Sequence, residues 1–365
     1  MMSQYIRAVW PVLVPAAIVI LLTVLFAESS PVLARVVTDT LIKMTIVIGL
    51  YVFIGQSGIV SFGHGGFMVI AAYISAWLTI PPQFKKIILP EIPLWLNQLH
   101  FHPFWAAAAA AVISTFIALI IGMALMRLVG IAASIATFAF LNVIVVIYNN
   151  WTSWTKGTAS LVGLPVYVGP YTALLVALAA MIVAFAFQSS RWGMMLRATR
   201  DDPIAARAAG ISIVRMRLIA FVVSVAVVSV GGLLQGHFAG ALTTSANVYL
   251  NLTFLTLTML IVGGMRSLAG AVSGVILVAI LSEFLRQLER GMSFGGVEIV
   301  VPSGFGQVAL GVILLLVLVL RPRGLLGGRG DGGVGQIRNP QPVASRGPRL
   351  GGRGDHGQCP PQCRA

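Results

Sequence analysis

Charge is what this chain has least of. Only 9% of its 365 residues are Asp, Glu, Lys or Arg, against about 25% in a soluble domain, and so few charges cannot cover a water-facing surface. Lysine is rarest: Lys43, Lys85, Lys86 and Lys156 are the whole set. None stands in a G-x-x-x-x-G-K-[ST] context, which excludes a P-loop and with it ATP hydrolysis by this chain. The two cysteines, Cys359 and Cys363, share the terminal QCPPQC. Two thiolates cannot complete a tetrahedral zinc shell, so a reduced, disordered pair is expected. The histidines (His64, His100, His102, His237, His356) are scattered, giving neither a metal cluster nor a Ser-His-Asp assembly. Strand-period alternation is missing, which excludes a β-barrel. Carboxylates deep within apolar runs are missing too, which argues against an ion-coupled secondary transporter. Asp39 and Lys43 can pair at i, i+4, and Glu283 sits at a run's end beside Arg286.

What the chain has is apolar sequence. It is 58% hydrophobic with a mean hydropathy of +0.95, and its runs suit a ~30 Å hydrocarbon core that takes roughly 20 helical residues to cross. Runs lie at 10–27, 37–54, 62–80, 104–126, 128–148, 170–187, 217–241, 251–265, 268–285 and 305–320. The fold expected is an all-α polytopic membrane protein of about ten transmembrane helices, nine to eleven. The first run is too long for a cleaved signal core and is read as a retained helix. The chain divides into an N-terminal helix (1–27), a first half (28–187), a charged loop (188–216), a second half (217–327) and a tail (328–365). The tail is rich in Gly, Pro and Arg and is expected to be disordered. With a cytoplasmic N-terminus, 17 of the Lys and Arg residues fall inside and seven outside, the asymmetry that sets orientation. Both termini are then cytoplasmic. The +14 net charge reflects this bias and no nucleic-acid partner.

Three stretches stand out. GQSGIVSFGHGGF (55–67) joins the second and third runs, and its glycines permit a broken helix whose freed backbone lines a cavity. Close helix packing explains them equally well. Candidate substrate-pathway residues here are Gly55, Gln56, Ser57, Gly58, Ser61, Gly63 and His64, with His64 more simply a packed, hydrogen-bonded side chain. NNWTSWTKGTASLVGLPV (149–166) is an outside loop whose tryptophans suit the membrane interface. RWGMMLRATRDDPIAARAAGISIVRMRLIAF (191–221) carries six arginines. Asp201, Asp202 and Pro203 make a helix start, IAARAAG continues it, and Gly210 is placed to cap it. A short cytoplasmic helix of two to three turns is expected, compact enough to dock on a partner.

These stretches resemble the permeases of branched-chain amino acid ABC transporters. RATRDDPIAARAAGISIVRMRLIAF is similar to the family's cytoplasmic loop, and GQSGIVSFGHGGFMVIAAY to its Gly-rich stretch. GIAASIATFAF through KGTASLVGLPV, MLIVGGMRSLAGAVSGVIL and LRPRGLLG follow in family order across 40–327. The longer N-terminal run favours the M-type over the H-type subunit. Pro203 and Arg207 depart from the family by standing where acids are common, and so does the long tail. The resemblance implies a bacterial inner-membrane subunit that is no enzyme and binds no cofactor. ATP and Mg would belong to two ATP-binding subunits, and a homologous H-type permease and a periplasmic solute-binding protein complete the set. Arg200, Asp201, Asp202, Ala205, Ala206 and Gly210 would couple to an ATPase. Substrates would be branched-chain amino acids, or relatives such as urea or short amides.

Overall fold

The computed structural model describes residues 2–243, 246–289, 292–294, 297–299, 304–321 and 324–325. The tail, with Cys359 and Cys363, lies outside the described residues. The first half holds α1 (Met2–Ala27), α2 (Pro31–Ser57), α3 (His64–Thr79), the short α4 (Pro82–Ile88) and α5 (Leu94–Gln98), α6 (Pro103–Leu125), α7 (Ile131–Asn150), α8 (Thr152–Thr155) and α9 (Pro170–Ser189). Two connecting helices follow, α10 (Arg191–Asp201) and α11 (Pro203–Ala208). Then come α12 (Ile213–Ala239), α13 (Ala246–Gly263), α14 (Leu268–Glu289) and α15 (Phe305–Leu320). A helix therefore occupies each of the ten apolar runs. Among the described residues six helices are each long and apolar enough to cross a membrane, or seven if α3 and α4, bent by 119°, form one span. Two small pairings break the all-helical expectation: β1 (Leu161–Val162) with β2 (Ala241–Leu242), and β3 (Met292–Phe294) with β4 (Val297–Ile299), both antiparallel.

Helix ends run past the apolar runs because polar caps extend them. Ser30 accepts a hydrogen bond from the Leu33 N–H at 3.2 Å with Pro31 in the first turn, so α2 starts six residues before its run. The helices fall into two classes. From Met44 to Ser57 every residue of α2 is buried, and α9, α12 and α14 pack around it. In α6, by contrast, only Ala106, Ala110, Ser114, Ala118 and Gly122 are buried. That stripe of small residues at i, i+4 lets backbones approach while the rest of the helix faces outward. Close approach recurs where α13 meets α14. A Cβ on Gly263 would come within 2.0 Å of the Gly270 carbonyl oxygen, and one on Gly274 within 2.1 Å of Met259's.

Two buried histidines pin α3 to α12. His64 Nε2 of α3 meets Ser224 Oγ of α12 at 2.8 Å, and His237 Nε2 of α12 meets Ser75 Oγ of α3 at 2.8 Å. The bonds lie 11 residues apart on one helix and 13 on the other, so the two run parallel and are tied at two levels.

The connections segregate into two sets. In one, Arg200 reaches Gly55, Arg217 Nη1 donates to the Leu128 carbonyl at 3.4 Å, and the Leu325 N–H donates to the Val262 carbonyl at 2.9 Å. In the other, Tyr171 Oη donates to Glu28 at 2.9 Å, Trp77 Nε1 to the Trp154 carbonyl at 2.9 Å, and Ser160 pairs with Thr243 at 2.7 Å. Each of these bonds joins segments expected on the same membrane face.

Candidate functional site

The charged loop folds as two helices, not one. Ser190 caps α10 by accepting from the Gly193 N–H at 3.3 Å, and α10 runs on to Asp201. Pro203 then disfavours helical geometry in the residue before it, and Asp202 is extended, at φ −145° and ψ 101°. Its carboxylate accepts from the Ile204 and Ala205 N–H groups at 2.8 and 3.0 Å, capping α11. The expected helix of two to three turns is therefore shorter, six residues from Pro203 to Ala208. Asp201 belongs to the helix before it. The end is as expected: Gly210 has φ +79°, its N–H donates to the Arg207 carbonyl and that of Ile211 to the Ala206 carbonyl. This paired closure of a helix end suits glycine at the left-handed position.

On α11 only Ala206 is buried. Asp202, Pro203, Ala205 and Arg207 are exposed, and Ile204 is 77% exposed. Ile204 is thus an exposed apolar knob on a six-residue helix held at both ends.

On α10 the arginines turn the other way. Arg197 and Arg200, three residues apart, share one face. Arg197 Nη1 donates to Gln56 Oε1 at 2.7 Å and to the Gln188 carbonyl at 3.0 Å. Arg200 Nη1 donates to the Gly55 carbonyl at 2.9 Å, and its Nε to Asp201 Oδ1 at 3.0 Å. Gly55 and Gln56 lie in the last turn of α2, where carbonyls lack intrahelical partners and carry the negative end of the helix dipole. Arg200 supplies the donor one of those carbonyls calls for, while Arg197 binds the Gln56 side chain and a last-turn carbonyl of α9. Gly58 follows at φ +72°, with the Arg200 methylenes 3.0 Å from where its Cβ would be. Tyr51 Oη donates to Gln188 Oε1 at 2.9 Å, tying α2 to α9 at the same level.

The Gly-rich stretch is a helix break. Between Ser57 and His64 the chain is non-helical, and α7 satisfies its freed backbone: Ser134 Oγ donates to the Val60 carbonyl at 2.7 Å, and Thr137 Oγ accepts from the Phe62 N–H at 3.3 Å. Ser61 pairs with His64 Nδ1 at 3.1 Å. Gln56, Ser57, Ser61, Gly63 and His64 are buried and Gly58 is exposed. His64 lies between the Phe53 and Phe221 rings, 5.7 and 5.1 Å away, with both its nitrogens engaged. Gly65 has reason to be glycine: a Cβ would sit 2.3 Å from Thr253 Oγ1. In the 149–166 loop, Trp151 stacks on Trp154 at 5.0 Å and Trp154 meets Trp77 edge-on at 5.5 Å.

Two stretches that look separate in the sequence are thus one unit, an exposed knob on α11 joined to α10, whose arginines hold the end of α2 just before the chain breaks from helix. Arg197, Ser134, Thr137 and Ser224 escaped the sequence reading. The signal available was polarity inside apolar runs, which does not say what each group faces. Among the described residues no three His, Cys, Asp or Glu side chains are grouped to hold a metal.

A family model described as branched-chain amino acid transport system / permease component matches residues 32–320. The chain is similar to the high-affinity branched-chain amino acid transport system permease protein LivM of Salmonella typhimurium, at 25% identity over 80% of this chain and 69% of that one. LivM of Escherichia coli is 24% identical over the same shares. The xylose transport system permease protein XylH of Haemophilus influenzae is 29% identical over 40% of this chain and 37% of its own. No solved structure matches.

Proposed function

The chain belongs to the branched-chain amino acid transport system permease family, and on that premise we propose that it is the translocating subunit of an ATP-driven importer in a bacterial inner membrane. It passes a branched-chain amino acid inward from a periplasmic binding protein. It pairs with a homologous permease and works with two ATP-binding subunits on the cytoplasmic face, where both its termini lie. That the family is a transport permease and a multi-pass membrane protein is the fixed point. Direction, partners and substrate are the reading built on it.

The observation that carries the reading is the knob-and-clamp unit. An ATP-binding subunit that closes around nucleotide takes Ile204 and Ala205 of α11 into a groove and shifts them, with Asp201 and Asp202 at the groove's rim. Ala206 and Gly210 keep α11 in shape while it moves. Through α10 the shift reaches Arg197 and Arg200, and they pull on the last turn of α2. The break at 58–63 lets that turn move without dragging α3, which is tied to α12 by its two His–Ser bonds. Access through the Gly-rich segment then alternates.

Substrate assignment leans on the two LivM relatives. The xylose permease relative cautions that likeness over part of the chain does not choose a solute, and a urea or short-amide permease remains the second reading. The test is to identify the ligand of the binding protein encoded with this permease, and to co-purify the ATP-binding subunit with the parent and with Ile204→Asp. Loss of the ATPase from the variant supports docking at α11, and its full retention overturns it.

A further inference from the structure

A cavity of about 390 Å³ lies between α1, α2 and α14, away from the coupling unit. Its walls are apolar: Val19 and Phe26 from α1, Leu33 and Met44 from α2, Ile276 and Ile280 from α14. Phe26 and Leu33 flank the short α1–α2 connection, whereas Val19 and Met44 lie further along their helices. Eleven residues separate Leu33 from Met44, about 16 Å at 1.5 Å per residue. The cavity is therefore a slot running along the helices, across part of the bilayer's thickness. Its carboxylate and amide side chains collect at one end. The Gly55 end of α2 packs against the 264–267 turn that leads into α14, since a Cβ on Gly55 would lie 2.5 Å from the Met265 carbonyl oxygen. The C-terminal part of α14 consequently lies beside the start of α2. From there Glu283 and Gln287 line the slot.

We propose that this slot holds one acyl chain of a zwitterionic glycerophospholipid, with the headgroup on Glu283 and Arg286. The volume falls in the range of small-ligand sites, roughly 300–1,000 Å³. Its length suits a hydrocarbon tail better than the short side chain of an amino acid. Ile280 and Phe284 are 65% and 52% exposed, so the slot opens sideways to the bilayer that supplies the ligand. The headgroup assignment rests on charge. Glu283 is 15% exposed and Arg286 50%, and their closest N–O approach is 3.7 Å, too long for a hydrogen bond. A phosphate on Arg286 and an ammonium on Glu283 satisfy both. The hydroxyls in the wall are already used, Thr23 on the Val19 carbonyl at 2.8 Å and Thr40 on that of Val36 at 2.7 Å, so the depth of the slot is effectively apolar. Bound there, the lipid packs α1 against α2 and α14.

The test uses the full chain with its partner subunits, reconstituted in nanodiscs of equal phosphatidylethanolamine and phosphatidylglycerol. The complex is re-extracted in mild detergent and its retained lipid counted by native mass spectrometry. The parent is expected to keep one phosphatidylethanolamine, favoured roughly tenfold over phosphatidylglycerol. Ala279→Phe fills the slot and removes that lipid. Arg286→Ala keeps the slot but abolishes the preference. Ile182→Trp, on the outward face of α9 and 66% exposed in the parent, changes neither. Should Ala279→Phe fail to assemble, Arg286→Ala decides alone. No retained lipid in the parent, equal retention by Ala279→Phe, or an unchanged preference in Arg286→Ala overturns the proposal. A partner helix filling the slot would appear as lipid retained by the chain alone and lost on assembly, which also overturns it.

Discussion

Replacing Arg200 with alanine removes the donor that the Gly55 carbonyl receives at 2.9 Å and leaves an acceptor at the end of α2 without its partner. A hydrogen bond from a charged group contributes about 1.5–3 kcal/mol. The Arg200 side chain is 16% exposed, so water replaces part of that bond, and the lower half of the range applies, about 1.5–2 kcal/mol. At 1.4 kcal/mol per tenfold, the population with α10 seated on α2 falls roughly ten- to thirtyfold. Because Arg200 points inward, away from the exposed face of α11, association with the ATP-binding subunit changes little. The assay is solute transported per ATP hydrolysed in proteoliposomes, and Arg200→Ala lowers that ratio about tenfold while hydrolysis continues. Arg200→Lys restores part of it, since an ammonium can still reach one carbonyl but lacks the guanidinium fork. A double-mutant cycle of Arg197→Ala with Gln56→Ala is non-additive, because the two share a 2.7 Å bond. If Arg200→Ala transports as many molecules per ATP as the parent, the clamp transmits nothing and this reasoning fails.

Gly65→Leu drives a side chain into Thr253 and Leu141 and destabilises the α3–α13 contact by about 1–3 kcal/mol or more. Its thermal unfolding in detergent should fall and uptake be lost, and parental values for both would show the packing to be loose. Gly210→Val meets no neighbour within 4 Å, so its effect is backbone strain alone at φ +79°, roughly 1 kcal/mol or more. ATPase co-purification should weaken without any change in global stability, and equal loss of both contradicts the local reading. Thr158→Cys, in an exposed turn, should react with an impermeant thiol reagent in intact cells, and labelling only after lysis would reverse the assigned orientation.

The helices were legible in the sequence because each apolar run is long enough to need one. Which helices face protein and which face lipid was less so. Hydropathy measures distance from water, and lipid is as apolar as leucine. Thus α6 is more apolar than α2, yet α2 is the buried one. The small-residue stripe of α6, Ala106 to Gly122, is the sequence feature that would have told them apart. The charged loop was recognisable as holding a short capped helix from its acids, proline and closing glycine. Its division into α10 and α11 turned on one residue, Asp202, forced out of helical geometry by the proline after it. The clamp was not legible at all. Arg197 and Gln56 lie 141 residues apart, and nothing local in either stretch names the other. His64 and His237 looked like isolated polar residues for the same reason, since their partners are serines on another helix.

The most direct test of the account is uptake by proteoliposomes that hold this chain with its permease partner and ATP-binding subunits. Radiolabelled leucine, isoleucine or valine is supplied outside with the binding protein. The account predicts uptake that needs both the binding protein outside and hydrolysable ATP inside, and that persists when ion gradients are collapsed. Uptake that proceeds without ATP and disappears with the proton or sodium gradient would contradict it.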